Sequence, residues 1–202
     1  MPRQFSAIAF TPAVKAIQEK MGSRENYERF VAKGPDNNTI NSDLERFISS
    51  MEGFYLGTVT SNGYPYIQFR GGKPGFLKII DERTLGFADF RGNLQYISVG
   101  NLSENDKAFL FLMDYRHRRR LKIIGRAWIV ENDPIILTQV QDTDYEATIE
   151  RAILFKIEGW DWNCPQHIPV RYSGAELEAM ETRIKELEKL LTEAKNSTNL
   201  QS

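Results

Sequence analysis

Asn62-Gly63, set between two runs of strand-forming residues, constrains this chain more than any other feature. Phe54–Thr60 and Tyr64–Arg70 are rich in aromatic and β-branched side chains, and Ser61-Asn62-Gly63 separates them. Asn and Gly tolerate the positive φ that a type I′ turn needs at both central positions, so the two runs are expected to fold back as an antiparallel hairpin. Arg70 closes the second run, and Gly71-Gly72-Lys73-Pro74-Gly75 reads as a loop. Two further strands are expected at Phe76–Ile80 and Thr84–Ala88, either side of the polar turn Asp81-Glu82-Arg83. Over Asn93–Gly100 the period changes from two to that of a helix: Leu94 and Ile97 fall on one side, and Arg91, Gln95 and Ser98 on another. Cationic and amide side chains therefore gather where strands hand over to a helix, and a helix N-terminus favours an anion.

The remaining chain supplies the setting. Thr11-Pro12 has the form of a helix start, with Val14, Ile17 and Met21 following at helical spacing, and Ser23–Ala32 reads as a second helix. Lys33–Asn38 is a loop by composition. Asn41 or Ser42 caps a third helix whose stripe is Leu44, Phe47, Ile48 and Met51. Lys107–Asp114 is a continuous apolar run, expected as a buried strand, and strands are expected again at Leu121–Glu131 and Arg151–Glu158, with a short helix near Asp144. From Gly174 onward Leu177, Met180, Ile184, Leu187 and Leu191 alternate spacings of three and four, the seam of a coiled coil, and residues 196–202 are expected to fray.

Composition excludes several classes. With 26 Lys and Arg against 27 Asp and Glu, the net charge of −1 gives no electrostatic case for binding nucleic acid or an acidic membrane. No apolar run approaches the roughly 20 residues of a membrane helix. Cys164 is the single cysteine, which rules out an internal disulfide and suits a reducing compartment, so the cytoplasm is the expected location. No dinucleotide-binding glycine motif, Walker loop or nucleophile elbow is present, so any chemistry is expected to reside in a bound cofactor.

The order of elements between Leu44 and Glu131 resembles the flavin-binding split-barrel family typified by pyridoxamine 5′-phosphate oxidase. The matching parts are Ser61-Asn62-Gly63, the strand Pro65–Arg70, Phe87-Ala88-Asp89, the polar helix start Arg91–Ser98, Asn105-Asp106, and the strand Arg120–Ala127. Asp106 stands where the family usually has Pro, and Arg91-Gly92-Asn93-Leu94-Gln95 replaces the usual Ser-x-Lys, which makes Arg91 the candidate for the second cation on a phosphate. The resemblance implies a mainly β, α+β fold: a six-stranded split β-barrel over residues 53–172, preceded by helices in 1–52 and followed by a C-terminal amphipathic helix and tail in 173–202. It further implies a homodimer with flavin mononucleotide (FMN) at the subunit interface and oxidation or reduction of a small-molecule substrate. The competing reading is a non-catalytic binder or sensor of flavin, haem or deazaflavin, since the family's barrel hosts these too.

By that resemblance, Arg70, Gly71, Lys73, Arg91, Gln95 and Ser98 form the phosphate side of the site, and the backbone at Ala88 and Asp89 meets the ring edge. Without it, the same side chains read as a solvated helix face and a surface loop. Arg120 and Lys122 would approach the ring from the partner subunit, or else belong to a solvated basic hairpin with Arg116–Arg119. Trp160, Trp162, His167 and Arg171 read either as a wall of the substrate pocket or as an aromatic seal at a dimer interface. Cys164 and His167 together fall short of the four ligands of a structural zinc site, so no metal is expected.

Overall fold

The computed structural model describes residues 3–34 and 36–199, with side chains described as far as Ala194. Among the described residues seven strands form one antiparallel sheet: β1 (Gly53–Val59), β2 (Pro65–Gly71), β3 (Lys78–Ile79), β4 (Thr84–Phe90), β5 (Lys107–Asp114), β6 (Arg119–Val130) and β7 (Ile149–Trp162). Their spatial order is β2-β1-β5-β6-β7-β4-β3, with β2 and β3 as unpaired ends, so the sheet is an open split barrel within an α+β fold. The expected architecture is therefore present. The seventh strand is the two-residue β3, because Phe76 and Leu77 leave the ladder to bury their side chains in the core.

Seven helices accompany the sheet among the described residues: α1 (Gln4–Ala9), α2 (Pro12–Lys20), α3 (Arg24–Lys33), α4 (Ser42–Ser49), α5 (Ile97–Glu104), α6 (Pro134–Val140) and α7 (Gly174–Asn199). Thr11 caps α2 by accepting from the Val14 N–H, and Asn41 caps α4 by accepting from the Leu44 N–H at 2.8 Å. The capping fixes where α4 starts, and Leu44, Phe47 and Ile48 then fall on one buried face against the sheet. Val14, Ile17 and Met21 behave differently: they are exposed, so the stripe expected on α2 covers nothing.

The chain divides into two compact units, one running to Asp114 and resuming over Arg119–Pro165, the other made of Tyr115–Arg118 and the chain from Gln166 onward. The core of the first is a cluster of rings and aliphatic side chains. Phe87 packs edge-on to Phe54 with centroids 5.0 Å apart and lies 6.0 Å from Phe76. Each of these rings, fully withdrawn from water, contributes about 1.5–3 kcal/mol of transfer free energy. A buried Asn37 clips the N-terminal region to the sheet: its side chain accepts from the Phe5 N–H and donates to the Trp160 carbonyl, while its own carbonyl accepts from the Trp160 N–H at 2.7 Å. α1 lies so close to β7 that a Cβ on Gly159 would come within 2.4 Å of the Phe5 nitrogen.

Several sequence expectations are corrected. The β1–β2 connection is a three-residue loop, closed by the Thr60 N–H on the Tyr64 carbonyl at 2.9 Å, with Gly63 alone at positive φ (87°). The Thr60 hydroxyl accepts from the Tyr64 N–H, which selects this loop over a two-residue type I′ turn. β5 alternates rather than being buried throughout: Ala108, Leu110 and Leu112 face the core and Phe109 and Phe111 do not. The helix expected near Asp144 falls instead at α6, where Asp133 accepts from the N–H groups of Ile135 and Ile136 and Pro134 occupies the first helical position. β7 extends beyond Glu158 to take in Trp160 and Trp162. Residues 196–199, expected to fray, are helical, and 200–202 lie outside the described residues. Among the described residues no helix is long and apolar enough to cross a membrane.

Candidate functional site

The strand-to-helix handover predicted from sequence is a shallow cleft of about 50 Å³ in the first unit. Period-two geometry puts Tyr66, Gln68 and Arg70 of β2 on the face turned into it, while Ile67 and Phe69 point the other way. The end of β4 contributes Asp89 and Phe90, where a register shift opposite β7 breaks the ladder. The chain then runs through Gly92–Tyr96 before α5 begins.

This connection corrects the expected helix over Asn93–Gly100, since helical backbone starts only at Ile97. Asn93 accepts from the Gln95 N–H at 3.3 Å, a local turn that competes with helix formation. Leu94 and Tyr96 are left-handed, at φ 62° and 52°, at a cost of about 1–3 kcal/mol each. Such strain persists only where neighbouring contacts fix it, and here two contacts lock α5 against the sheet. The Ser98 hydroxyl donates to Gln68 Oε1 at 3.1 Å, and Asn101 donates to the Thr58 hydroxyl at 2.9 Å. The result is a helix N-terminus with no side-chain cap, whose first residues Ile97, Ser98 and Val99 line the cleft.

Arg70 is the buried cation of the site. Its guanidinium donates to Asp89 Oδ1 at 2.5 Å, with the two side chains 14% and 6% exposed. Its Nε is buried without a hydrogen-bond partner, as is that of Arg151. Arg151, opposite Asp89 in the β4–β7 register, lies 3.9 Å from Asp89 Oδ2, donates to Glu150 Oε2 and covers the Tyr96 ring. Tyr96 in turn donates its hydroxyl to Glu150 at 3.2 Å. Arg70 with its spare Nε donor and the uncapped helix start share this cleft, a combination suited to a phosphate, while Arg151 lies behind Asp89 and is not among the lining residues.

The structure brings Arg70, Asp89, Gln95 and Ser98 into this one cleft. Arg91 stands at its rim, flanked by Phe90 and Gly92; its side chain is 63% exposed and 3.9 Å from Glu150. Ala88 is buried in the core, so only its backbone is available. Gly71 closes the β1–β2 ladder opposite Gly53 and has no room for a Cβ beside the Phe69 ring. Lys73 is drawn away to Asp144, contacting both its carboxylate and its carbonyl at 2.6 Å, and this contact holds the Asp144 carboxyl below its ordinary pKa.

The other predicted residues lie elsewhere in the chain. Arg120 donates to the Cys164 carbonyl at 3.0 Å, and Lys122 lies between Asp161 (3.1 Å) and the Phe5 ring (4.8 Å). Trp160 donates from its indole to the Thr39 carbonyl, and Trp162 packs edge-on to Phe47 with Arg119 over its face. In the second unit, His167 takes a left-handed backbone and the Arg171 guanidinium covers the Tyr115 ring at 4.6 Å. Among the described residues no group of three His, Cys, Asp or Glu side chains could hold a metal.

Sequence reasoning missed Tyr66, Gln68, Tyr96, Glu150 and Arg151. Counting back by two from Arg70 identifies Tyr66 and Gln68 as its face-mates. Nothing in the sequence indicates that Arg151, 81 positions after Arg70, comes back beside Asp89.

The family model for pyridoxamine 5′-phosphate oxidase matches residues 40–162. No curated protein matches the chain. Among solved structures, HupZ of Group A Streptococcus is 14% identical with a TM-score of 0.49, the match covering 66% of this chain and 99% of that one. A protein related to general stress protein 26, of the pyridoxinephosphate oxidase family, from Clostridium acetobutylicum is 19% identical with a TM-score of 0.46, covering 60% and 85%. An FMN-binding protein from Syntrophomonas wolfei is 18% identical with a TM-score of 0.47, covering 60% and 86%. These likenesses are distant and the assignment rests on the family model, which spans the helix α4, the whole sheet and the cleft: the chain belongs to the pyridoxamine 5′-phosphate oxidase family.

Proposed function

We propose that this protein is an FMN-dependent oxidoreductase that binds flavin mononucleotide in the cleft between β2, β4 and α5 and acts on a small molecule. The single observation that carries this reading is that Arg70, with a free buried Nε, the Ser98 hydroxyl and the uncapped start of α5 share one cleft. A phosphate monoester accepts from Arg70 and from the helix-start N–H groups, and from the Ser98 hydroxyl when it turns away from Gln68 Oε1, its partner in this structure; Gln95 and the rim residue Arg91 are the adjoining polar side chains. Asp89 and Glu150 oppose a second anion, so the cleft is matched to one phosphate rather than to a polyphosphate. When bound, the flavin supplies the hydride acceptor and donor; the chain's own task is to anchor and orient it and to exclude water.

The reading includes a homodimer with the cofactor at the subunit interface, where Arg120 and Lys122 approach the ring from the second subunit. The outer face of β1 and β2 supports it: Tyr55, Ile67 and Phe69 are exposed there, a patch that favours burial against another surface. We place the protein in the cytoplasm, in keeping with its single exposed cysteine.

The test is the visible spectrum and mass of whatever copurifies, followed by titration of the stripped protein with riboflavin 5′-phosphate and with riboflavin. A bound flavin that bleaches with NADH or NADPH and recovers in air establishes turnover. A flavin that no reductant bleaches makes the protein a binder, and haem, a deazaflavin or no affinity for either riboflavin compound overturns the assignment.

A further inference from the structure

The 26-residue helix α7 presents an apolar stripe to solvent: Leu177, Met180, Ile184, Leu187 and Leu191 are between 40% and 56% exposed. Their alternating spacing places Leu177, Ile184 and Leu191 at a positions and Met180 and Leu187 at d positions of a heptad repeat, with Ala194 at the next d. The start of the helix is fixed within its own unit. Glu176 accepts from the N–H and hydroxyl of Ser173 at 2.8 and 3.0 Å and pairs with Arg116, so the seam begins on a capped turn.

We propose that α7 pairs with α7 of a second copy of this chain as a parallel, in-register, two-stranded coiled coil. The residues at the centre of the seam select this state, since Ile at a followed by Leu at d favours two parallel strands. Charge selects the direction. In the parallel pairing, Arg183 at g meets Glu188 at e of the second copy, twice by symmetry. The unfavourable Glu176–Glu181 contact is weakened because Glu176 already faces Arg116. An antiparallel pairing of the same length, with Ile184 layered on Leu187, sets Glu181 against Glu188 twice and brings Arg183 opposite Leu190. Arg183 now leans on Glu186 of its own helix at 2.9 Å, an exposed pair that exchanges at little cost. Leu190, at a g position and also exposed, widens the seam. The proposal rests on the second unit alone and is independent of the flavin.

Cross-linking of the full chain tests it. In a Cys164→Ser background, Leu187→Cys puts a thiol at a d position, where the two copies meet only if the helices are parallel and in register, while Glu178→Cys puts one on the outer face. With oxidised glutathione, Leu187→Cys is expected to convert to a covalent dimer at least about tenfold faster than Glu178→Cys, and adding Ile184→Glu should abolish the difference. Equal rates at the two positions, no dimer from Leu187→Cys, or a fast dimer that survives Ile184→Glu overturns the proposal. Association through the sheet raises the local thiol concentration at both positions, so the difference between Leu187→Cys and Glu178→Cys, not either rate alone, reports the α7 seam. Flavin binding, measured by titration, stands or falls separately.

Discussion

Removing Arg70 separates anchoring of the phosphate from support of the fold. On the proposed reading, Arg70→Ala deletes a charge-assisted contact to the phosphate worth about 1.5–3 kcal/mol, so the Kd for riboflavin 5′-phosphate should rise about 10- to 150-fold while that for riboflavin changes little. The same substitution strands Asp89, a nearly buried carboxylate, with Arg151 at 3.9 Å as its remaining cation. Breaking a buried ion pair costs about 3–5 kcal/mol, and Arg151 should hold the loss to the lower end of that range. A second variant, Arg70→Met with Asp89→Leu, replaces the pair by apolar groups of similar volume and should recover most of the stability. It should not recover the preference for the phosphate. Thermal melting followed by circular dichroism and fluorescence titration with both ligands give the two readouts. If Arg70→Ala keeps the wild-type preference for riboflavin 5′-phosphate over riboflavin, or the double variant regains it, Arg70 is not the anchor and the assignment of the cleft is wrong.

Other substitutions probe the frame around the cleft. Phe87→Ala, at the centre of the ring cluster with Phe54 and Phe76, should lower stability by about 3–5 kcal/mol in denaturant titration, and a loss below 1 kcal/mol would contradict the packing described. Asn41→Ala removes the cap of α4 and should cost about 1 kcal/mol, whereas Asn41→Asp should cost almost nothing. Gly125 lies at the β6 bulge, where a Cβ would meet the Lys156 carbonyl at 2.0 Å; Gly125→Ala should therefore destabilise through backbone displacement, read as a lowered Tm. Asp81 is held below its ordinary pKa of 3.8, first by the Arg83 N–H, which donates to its carboxylate at 2.7 Å. Its contribution is complete above that ordinary value and is lost as pH falls through the lower folded value, so Asp81→Asn should lower stability slightly at neutral pH and flatten the acid limb of the stability profile below about pH 4, the two proteins converging in acid.

Local rules written in the sequence determined much of this protein. Asn41 and Thr11 mark helix starts because a side-chain oxygen near a free N–H is a short-range interaction, and Asp133 does the same for α6 although the helix is expected only near Asp144. Gly63 marks a reversal of the chain, and the alternation through Tyr66, Gln68 and Arg70 sets which side chains share a face. The order of these elements is enough to indicate the split barrel and to place Arg70, Gln95 and Ser98 near one another. Tertiary structure decided the rest. The left-handed turns at Leu94 and Tyr96 delay α5 by four residues beyond its expected start at Asn93, and they hold because Ser98 and Asn101 are fastened to Gln68 and Thr58 on other strands. Lys73 pairs with Asp144 instead of lining the cleft, and Arg151 joins Asp89, through pairings of residues 71 and 62 positions apart. Electrostatic and packing energies depend on distance in space, and the sequence carries that distance only for neighbours along the chain.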